Sequence, residues 1–176
     1  KAHACCYAYN SYITAYLKAN YPEEFLTAYL NVEIGRSKYE KVESLEKMAK
    51  EMNVEILQRH INDCKARYYI ASKADPSNGV PKSQIMPSLK CKGLSDAAVE
   101  NIEKNQPYTS LKDFAEKTDT KVVDTKAVES LLAAGFFKPK QGRGKSKDDI
   151  MKEFTIIRED LKRARKKGVE AGDMFG

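Results

Sequence analysis

Lys90-Cys91-Lys92-Gly93-Leu94-Ser95-Asp96-Ala97-Ala98-Val99 is the stretch on which the reading of this chain turns. Gly93 comes after two lysines and precedes a serine–aspartate pair, so a tight turn passes directly into a capped helix. Ser95 and Asp96 suit the cap and first turn of a helix from about Ala97 to Lys104. A small residue at such a turn lets the backbone approach an anion, and the N–H groups at the helix start then point at it. Lys90 and Lys92 add a positive charge that is indifferent to base sequence. The plainer alternative is an ordinary capped helix after a turn.

Downstream the pattern stays helical, in short pieces. Thr109-Ser110 caps a helix that ends near Lys117, with Leu111, Phe114 and Ala115 facing inward. Asp124-Thr125 caps another, in which Val128, Leu131 and Leu132 form the apolar stripe and Gly135 the stop. Residues 138–147 lack apolar side chains and read as a flexible basic linker. A final amphipathic helix, about Asp148 to Lys167, carries Ile150, Met151, Phe154, Ile157 and Leu161.

Upstream, Val54 to Leu57, Tyr68 to Ala71 and Gln84 to Met86 read as short strands around the turn Asp75-Pro76-Ser77-Asn78-Gly79. Before them, Ser37 reads as the N-cap of a helix over about Lys38 to Met52, with Tyr39, Val42, Leu45, Met48 and Met52 on one face. Pro22 separates a helix over about Pro22 to Asn31 from a first helix rich in Ala, Tyr and Leu. That first helix has no one-sided stripe, which predicts burial on more than one face. The fold class is mainly α, with a small β element in the middle.

The 176 residues allow one domain or two small ones, and no apolar run reaches the ~18 residues of a membrane span. The net charge of +6 is unevenly placed. Residues 1–137 hold 19 basic against 18 acidic side chains, residues 138–167 hold 12 against 5, and the last nine residues carry Glu170 and Asp173 alone. A positive strap near the end suits a polyanion better than generic basicity does. The four cysteines form no CxxC pair, which argues against a disulfide framework or zinc site and favours a reducing, cytoplasmic setting. The chain opens on Lys1 rather than Met, so it is expected to be a piece of something longer.

Two further groups of residues stand out. Lys1 and His3, with Tyr7 a turn later, could hold a triphosphate as point charge and donors, although on pattern alone a buried aromatic helix with a satisfied histidine is the better account of them. At the other end, Asp173-Met174-Phe175-Gly176 places two large apolar residues after a basic helix, as in a short peptide that docks in a partner's pocket, and a frayed terminus accounts for them equally well.

Taken together these pieces resemble the alpha subunit of bacterial DNA polymerase III, the C-family replicative polymerases. Lys1-Ala2-His3-Ala4 with Tyr7, then Ser11-Tyr12, Thr14 to Ala19 and Tyr21-Pro22-Glu23-Glu24-Phe25, is similar to the end of the fingers domain. Asn62 and Leu89 to Val99, then Tyr108 to Phe114 and Ala127 to Phe137, resemble the approach to a tandem helix-hairpin-helix unit and the unit itself. Asp173, Met174 and Phe175 resemble the internal peptide that holds the sliding clamp. Three places depart from the family pattern. Gln58-Arg59-His60 replaces a proline-rich turn, Ser95 replaces a hairpin glycine, and Ala171 replaces a glutamine of the clamp peptide. Such departures suggest a divergent member, with a phage genome as one source.

The resemblance implies a division into 1–57 (end of fingers), 58–87 (irregular β connector), 88–137 (tandem helix-hairpin-helix), 138–147 (basic linker) and 148–176 (helix and clamp-binding tail). It implies that Lys1, His3 and Tyr7 lie near the incoming nucleotide, and that Lys90, Lys92, Gly93, Leu94 and Ser95 contact the duplex backbone. It also implies that Asp173, Met174 and Phe175 tether the clamp. The parent would be a DNA-directed DNA polymerase with Mg2+ in a separate palm domain, so no cofactor and no catalysis are expected of this segment alone. Its partners would be DNA, the clamp and the rest of the polymerase, with no membrane. Two other readings stay open: a stand-alone helix-hairpin-helix module of a repair protein, and a protein-interaction scaffold.

Overall fold

Pro22 is where the N-terminal helical run breaks, because a proline disfavours helical backbone in the residue before it and suits the first position of a new helix. In the computed structural model α1 spans Ala2–Asn20 and α2 spans Pro22–Gly35, with Glu23 and Glu24 in the first turn of α2. The structure describes residues 2–137 and 146–173, with side chains described for residues 3–137 and 146–164. Contacts divide the chain into two units, one of residues 1–58 and 64–92, the other of residues 59–63 and 93–176.

The first unit packs α2, α3 (Tyr39–Met48) and a three-stranded sheet around one core. Strands β1 (Val54–Ile56), β2 (Tyr69–Ser72) and β3 (Ser83–Met86) lie in the order β1-β3-β2. β3 pairs antiparallel with β2, back across the turn, and parallel with β1. The apolar faces meet at Leu26, Leu30, Ile34, Val42, Leu45, Val54 and Ile85, all buried. Asn31 sews α2 to the strand side: its amide donates to Tyr68 O and its Oδ1 accepts from Tyr68 N, both at 2.9 Å. The Tyr68 hydroxyl donates to Glu46 Oε1 at 2.8 Å.

Two expectations fail here, for physical reasons. Every described side chain of α1 except Ile13 is exposed, with Tyr7 at 61% and Tyr9 and Tyr12 at 65%, so α1 is not buried on more than one face. A helix whose apolar residues are spread all round needs several neighbours to bury them all, and contacts of α1 are seen at its C-terminal end. Tyr21 N donates to Leu17 O at 2.8 Å there, and Lys18 Nζ reaches Met48 Sδ at 3.7 Å. Ser37, read as the cap of α3, instead takes a left-handed conformation at φ 56°, and Lys38 stands at the N-cap with no side-chain hydrogen bond. Short polar residues favour caps and tight turns for the same hydrogen-bonding reason, and here the turn prevails.

The second unit consists of α4 (Asp96–Lys104), α5 (Leu111–Lys117), α6 (Thr125–Ala134) and α7 (Lys147–Asp173). Its core gathers Ile102, Phe114, Val128, Leu131, Phe136 and Phe154, each buried to within 2% of completely. Phe114 is the hub: its ring meets Tyr108 at 4.9 Å and Phe137 at 5.3 Å, both edge-on, and Phe154 of α7 at 6.2 Å. Asn62 holds the α4–α5 connection by accepting from Tyr108 N at 2.8 Å and donating to Tyr108 O at 2.7 Å. The mainly helical class with a small sheet between the helices is therefore as expected, and α7 starts as expected but runs six residues further than Lys167.

Candidate nucleic-acid interface

Gly93 is the residue that makes the turn into α4. Its φ of 89° is left-handed, where only glycine is unstrained, and a Cβ there would overlap Ser130 Oγ of α6. The missing side chain therefore serves the packing of the turn against α6, a requirement internal to this chain. Leu94 is 5% exposed and belongs to the core of its unit. Ser95 caps α4 as read, its Oγ accepting from Ala98 N at 3.2 Å. Asp96 occupies the first turn of α4, the place where the helix dipole favours a negative charge. A carboxylate thus already stands at the helix end that a phosphate would approach. In the sequence Asp96 is legible as a capping signal, and the same carboxylate lowers affinity for an anion there.

The same local logic fixes the other helices of this unit. Ser110 Oγ accepts from Asp113 N at 3.1 Å and Asp124 Oδ1 from Ala127 N at 2.8 Å, and Gly135 closes α6 at φ 88°. Asp113 in turn accepts from Thr109 N and from Lys117 Nζ, each at 2.9 Å, which holds its carboxyl below the usual range. Burial pushes the Tyr108 phenol well above its ordinary value, and its hydroxyl donates to Ile102 O at 2.7 Å. The loop between α5 and α6 is covered by α7, whose Arg158 donates to Thr118 Oγ1 at 2.7 Å.

Lys90 and Lys92 lie on the other side of the division between units, which falls after residue 92. They close a strongly basic stretch. Residues 64–92 hold six basic side chains, Lys65, Arg67, Lys73, Lys82, Lys90 and Lys92, against Asp75 alone. Residues 93–137, by contrast, hold five basic against eight acidic side chains. Averaging over residues 1–137 hides this contrast, and a shorter window of the same sequence reveals it. Of the six, Lys73 is engaged by Glu24, and their pairing raises the ammonium pKa and lowers that of the carboxyl. Lys90 is held by its backbone, whose N–H donates to Ser88 Oγ at 2.9 Å. The Ser88 hydroxyl in turn donates to Ala66 O at 2.7 Å.

This turn-and-helix geometry has a known counterpart. The family model of the helix-hairpin-helix motif matches residues 53–146, more than half of the chain. The chain belongs to the helix-hairpin-helix family. It is also 37% identical over 137 residues to DNA polymerase III subunit alpha of Chlamydia pneumoniae, and 40% identical over 139 residues to that of Chlamydia muridarum. Each match covers 78% of this chain and 10% of the relative. The alpha subunit of Xylella fastidiosa is 30% identical over 184 residues, covering all of this chain and 14% of the relative. The chain thus spans about a tenth of the length of the curated relatives it matches, and these likenesses place its helix-hairpin-helix unit in the context of such a subunit.

The other candidate residues lie outside the helix-hairpin-helix turn. His3 and Tyr7 stack edge-on at 4.5 Å along exposed α1, while Lys1 lies outside the described residues. Asp173 is the last residue of α7, and Met174 and Phe175 lie outside the described residues, as do residues 138–145 of the basic linker. Among the described residues no three His, Cys, Asp or Glu side chains gather to hold a metal, and no helix is long and apolar enough to cross a membrane.

Proposed function

We propose that this chain is a non-catalytic segment of a replicative DNA polymerase alpha subunit that binds the backbone of duplex DNA without regard to sequence. The observation that carries the reading is the conjunction at Gly93. A helix-hairpin-helix turn shared with alpha subunits comes immediately after a stretch of six basic residues and one acid. In this reading Lys90 and Lys92 contact phosphates, and Gly93, Leu94 and Ser95 frame the turn that carries them. The positive residues 138–167 form a second strap along the duplex. Charge of this kind acts on every phosphate alike, so it gives grip rather than selectivity.

The finer parts of the reading belong to the same context. Asp173, Met174 and Phe175 tether the sliding clamp, with Ala171 in place of a glutamine weakening that contact. Lys1, His3 and Tyr7 face the nucleotide side of the intact subunit at the end of its fingers, and the subunit works in the cytoplasm. The Mg2+ of polymerase chemistry is held by other parts of that subunit.

Fluorescence anisotropy on a short duplex of arbitrary sequence tests the central statement. Log affinity should fall linearly with log salt, with equal affinities for duplexes of unrelated sequence. Absence of duplex binding at low salt would overturn it. Clamp tethering is tested separately by surface binding of a sliding clamp to the wild type and to Met174→Ala/Phe175→Ala, with loss expected in the double variant. A clamp that fails to bind the wild type removes that part alone.

A further inference from the structure

The first unit contains an open basic cleft that the helix-hairpin-helix match does not explain. Ser37, Lys38, Tyr39, Glu40, Lys41 and Lys92 line a recess of about 450 Å³ at the start of α3. Three of the six are lysines, all exposed, and none of the three makes an ion pair with another described residue. Lys41 lies 5.9 Å from the Tyr29 ring, which partly restrains its long side chain. The Tyr39 hydroxyl donates to Cys91 O at 3.3 Å. That bond ties the peptide carrying Lys92 to α3, so residues far apart in sequence are held around one recess. The Cys91 carbonyl is thereby satisfied, and the lysine next to it is left at the rim.

We propose that this cleft binds a phosphate group, with Lys38, Lys41 and Lys92 as its cationic ligands. Three unpaired ammonium groups around one concavity repel one another, and an oxyanion placed among them relieves that repulsion while gaining charge-assisted hydrogen bonds. Ser37 adds a hydroxyl at the same rim. Glu40 is the opposing element, a carboxylate in the first turn of α3 that limits affinity for any anion. The ligand we assign is a phosphodiester of the DNA backbone, which rests on the proposed DNA-binding function; a free phosphate or polyphosphate shares the chemistry. The cleft moves the strongest backbone contact from the N-terminus of α4, where Asp96 stands, to the start of α3.

Two measurements on the full chain test this. Duplex binding by anisotropy is compared for wild type, Lys38→Gln, Lys41→Gln, Glu40→Gln and the control Lys47→Gln/Lys50→Gln, at the last turn of α3 and just beyond it. Each cleft lysine should cost about threefold to tenfold in affinity and lower the salt slope by about one, Glu40→Gln should tighten binding, and the control should match wild type. In parallel, backbone amide shifts of residues 37–41 are tracked during titration with inorganic tripolyphosphate. Saturable shifts that vanish in Lys38→Gln/Lys41→Gln are expected. If the wild type binds duplex with linear salt dependence but the cleft variants behave as the control, the cleft is overturned and the DNA reading stands. If the wild type ignores duplex while tripolyphosphate saturates the amides, the cleft stands and the DNA reading falls. If neither ligand binds, both are overturned.

Discussion

The two units of this chain divide the work differently. In the second unit, residues 93–137 carry more acids than bases, yet each helix there begins at a side-chain cap, Ser95, Ser110 or Asp124, and α6 is stopped by Gly135. In the first unit, α2 and α3 lack side-chain caps, and residues 64–92 are six to one basic. The stretch that carries the helix-hairpin-helix turn is the better specified, and residues 64–92, just before it in sequence, carry an excess of positive charge that residues 93–137 lack. A motif can therefore mark where a nucleic acid runs without itself supplying the main attraction.

Several substitutions would break or sharpen that contrast. The largest effect is expected at Phe114, 1% exposed and in contact with three other rings. Phe114→Ala should remove about 3–5 kcal/mol from the second unit, read by urea denaturation. If the two units unfold in separate transitions, only one of them should move. Gly93→Ala comes next, at about 1–3 kcal/mol, because it meets both a left-handed φ and Ser130. Adding Ser130→Ala should return part of that loss, since it removes the overlapping oxygen and leaves the backbone strain. No recovery in the double variant would mean that the close approach to α6 is not what holds glycine there.

Ser95→Ala should cost about 1 kcal/mol through the lost cap, whereas Ser95→Gly should cost only a few tenths. The glycine variant creates the two-glycine turn that the resemblance implies, so its duplex affinity is informative. An increase well beyond the control would return the leading role to the hairpin. The smallest effect concerns Asp113. The Thr109 N–H and the Lys117 ammonium hold its carboxyl below the ordinary aspartate value, so its contribution is present at neutral pH and is lost as pH falls below about 4. Thermal unfolding between about pH 6 and pH 2.5 should show a shallower acid loss in Asp113→Asn than in wild type, and parallel curves would rule out this contribution.

The range of the forces involved decides how much could be read from the residues alone. Caps and stops are made within three or four residues, so Ser95, Ser110, Asp124 and Gly135 were legible, and so was the break at Pro22. The exposure of α1 was not, because it depends on what stands beside the helix rather than on its composition. Ser37 misled because one residue type serves both caps and left-handed turns. The parallel pairing of β1 with β3 depends on a long connection that no local signal encodes. At the candidate site, Lys92 was visible from its neighbours, while Lys38 and Lys41 became its companions only through the Tyr39–Cys91 bond.

The central claim is that positive charge in the first unit grips DNA while the body of the helix-hairpin-helix unit frames it. The most direct test compares the salt dependence of duplex binding for Arg67→Gln/Lys82→Gln/Lys92→Gln with that for Lys112→Gln/Lys121→Gln/Lys126→Gln, two variants of equal charge loss, one in each unit. The log–log slope should fall by about two to three in the first variant and by less than about one in the second. A larger reduction in the second variant would contradict the claim.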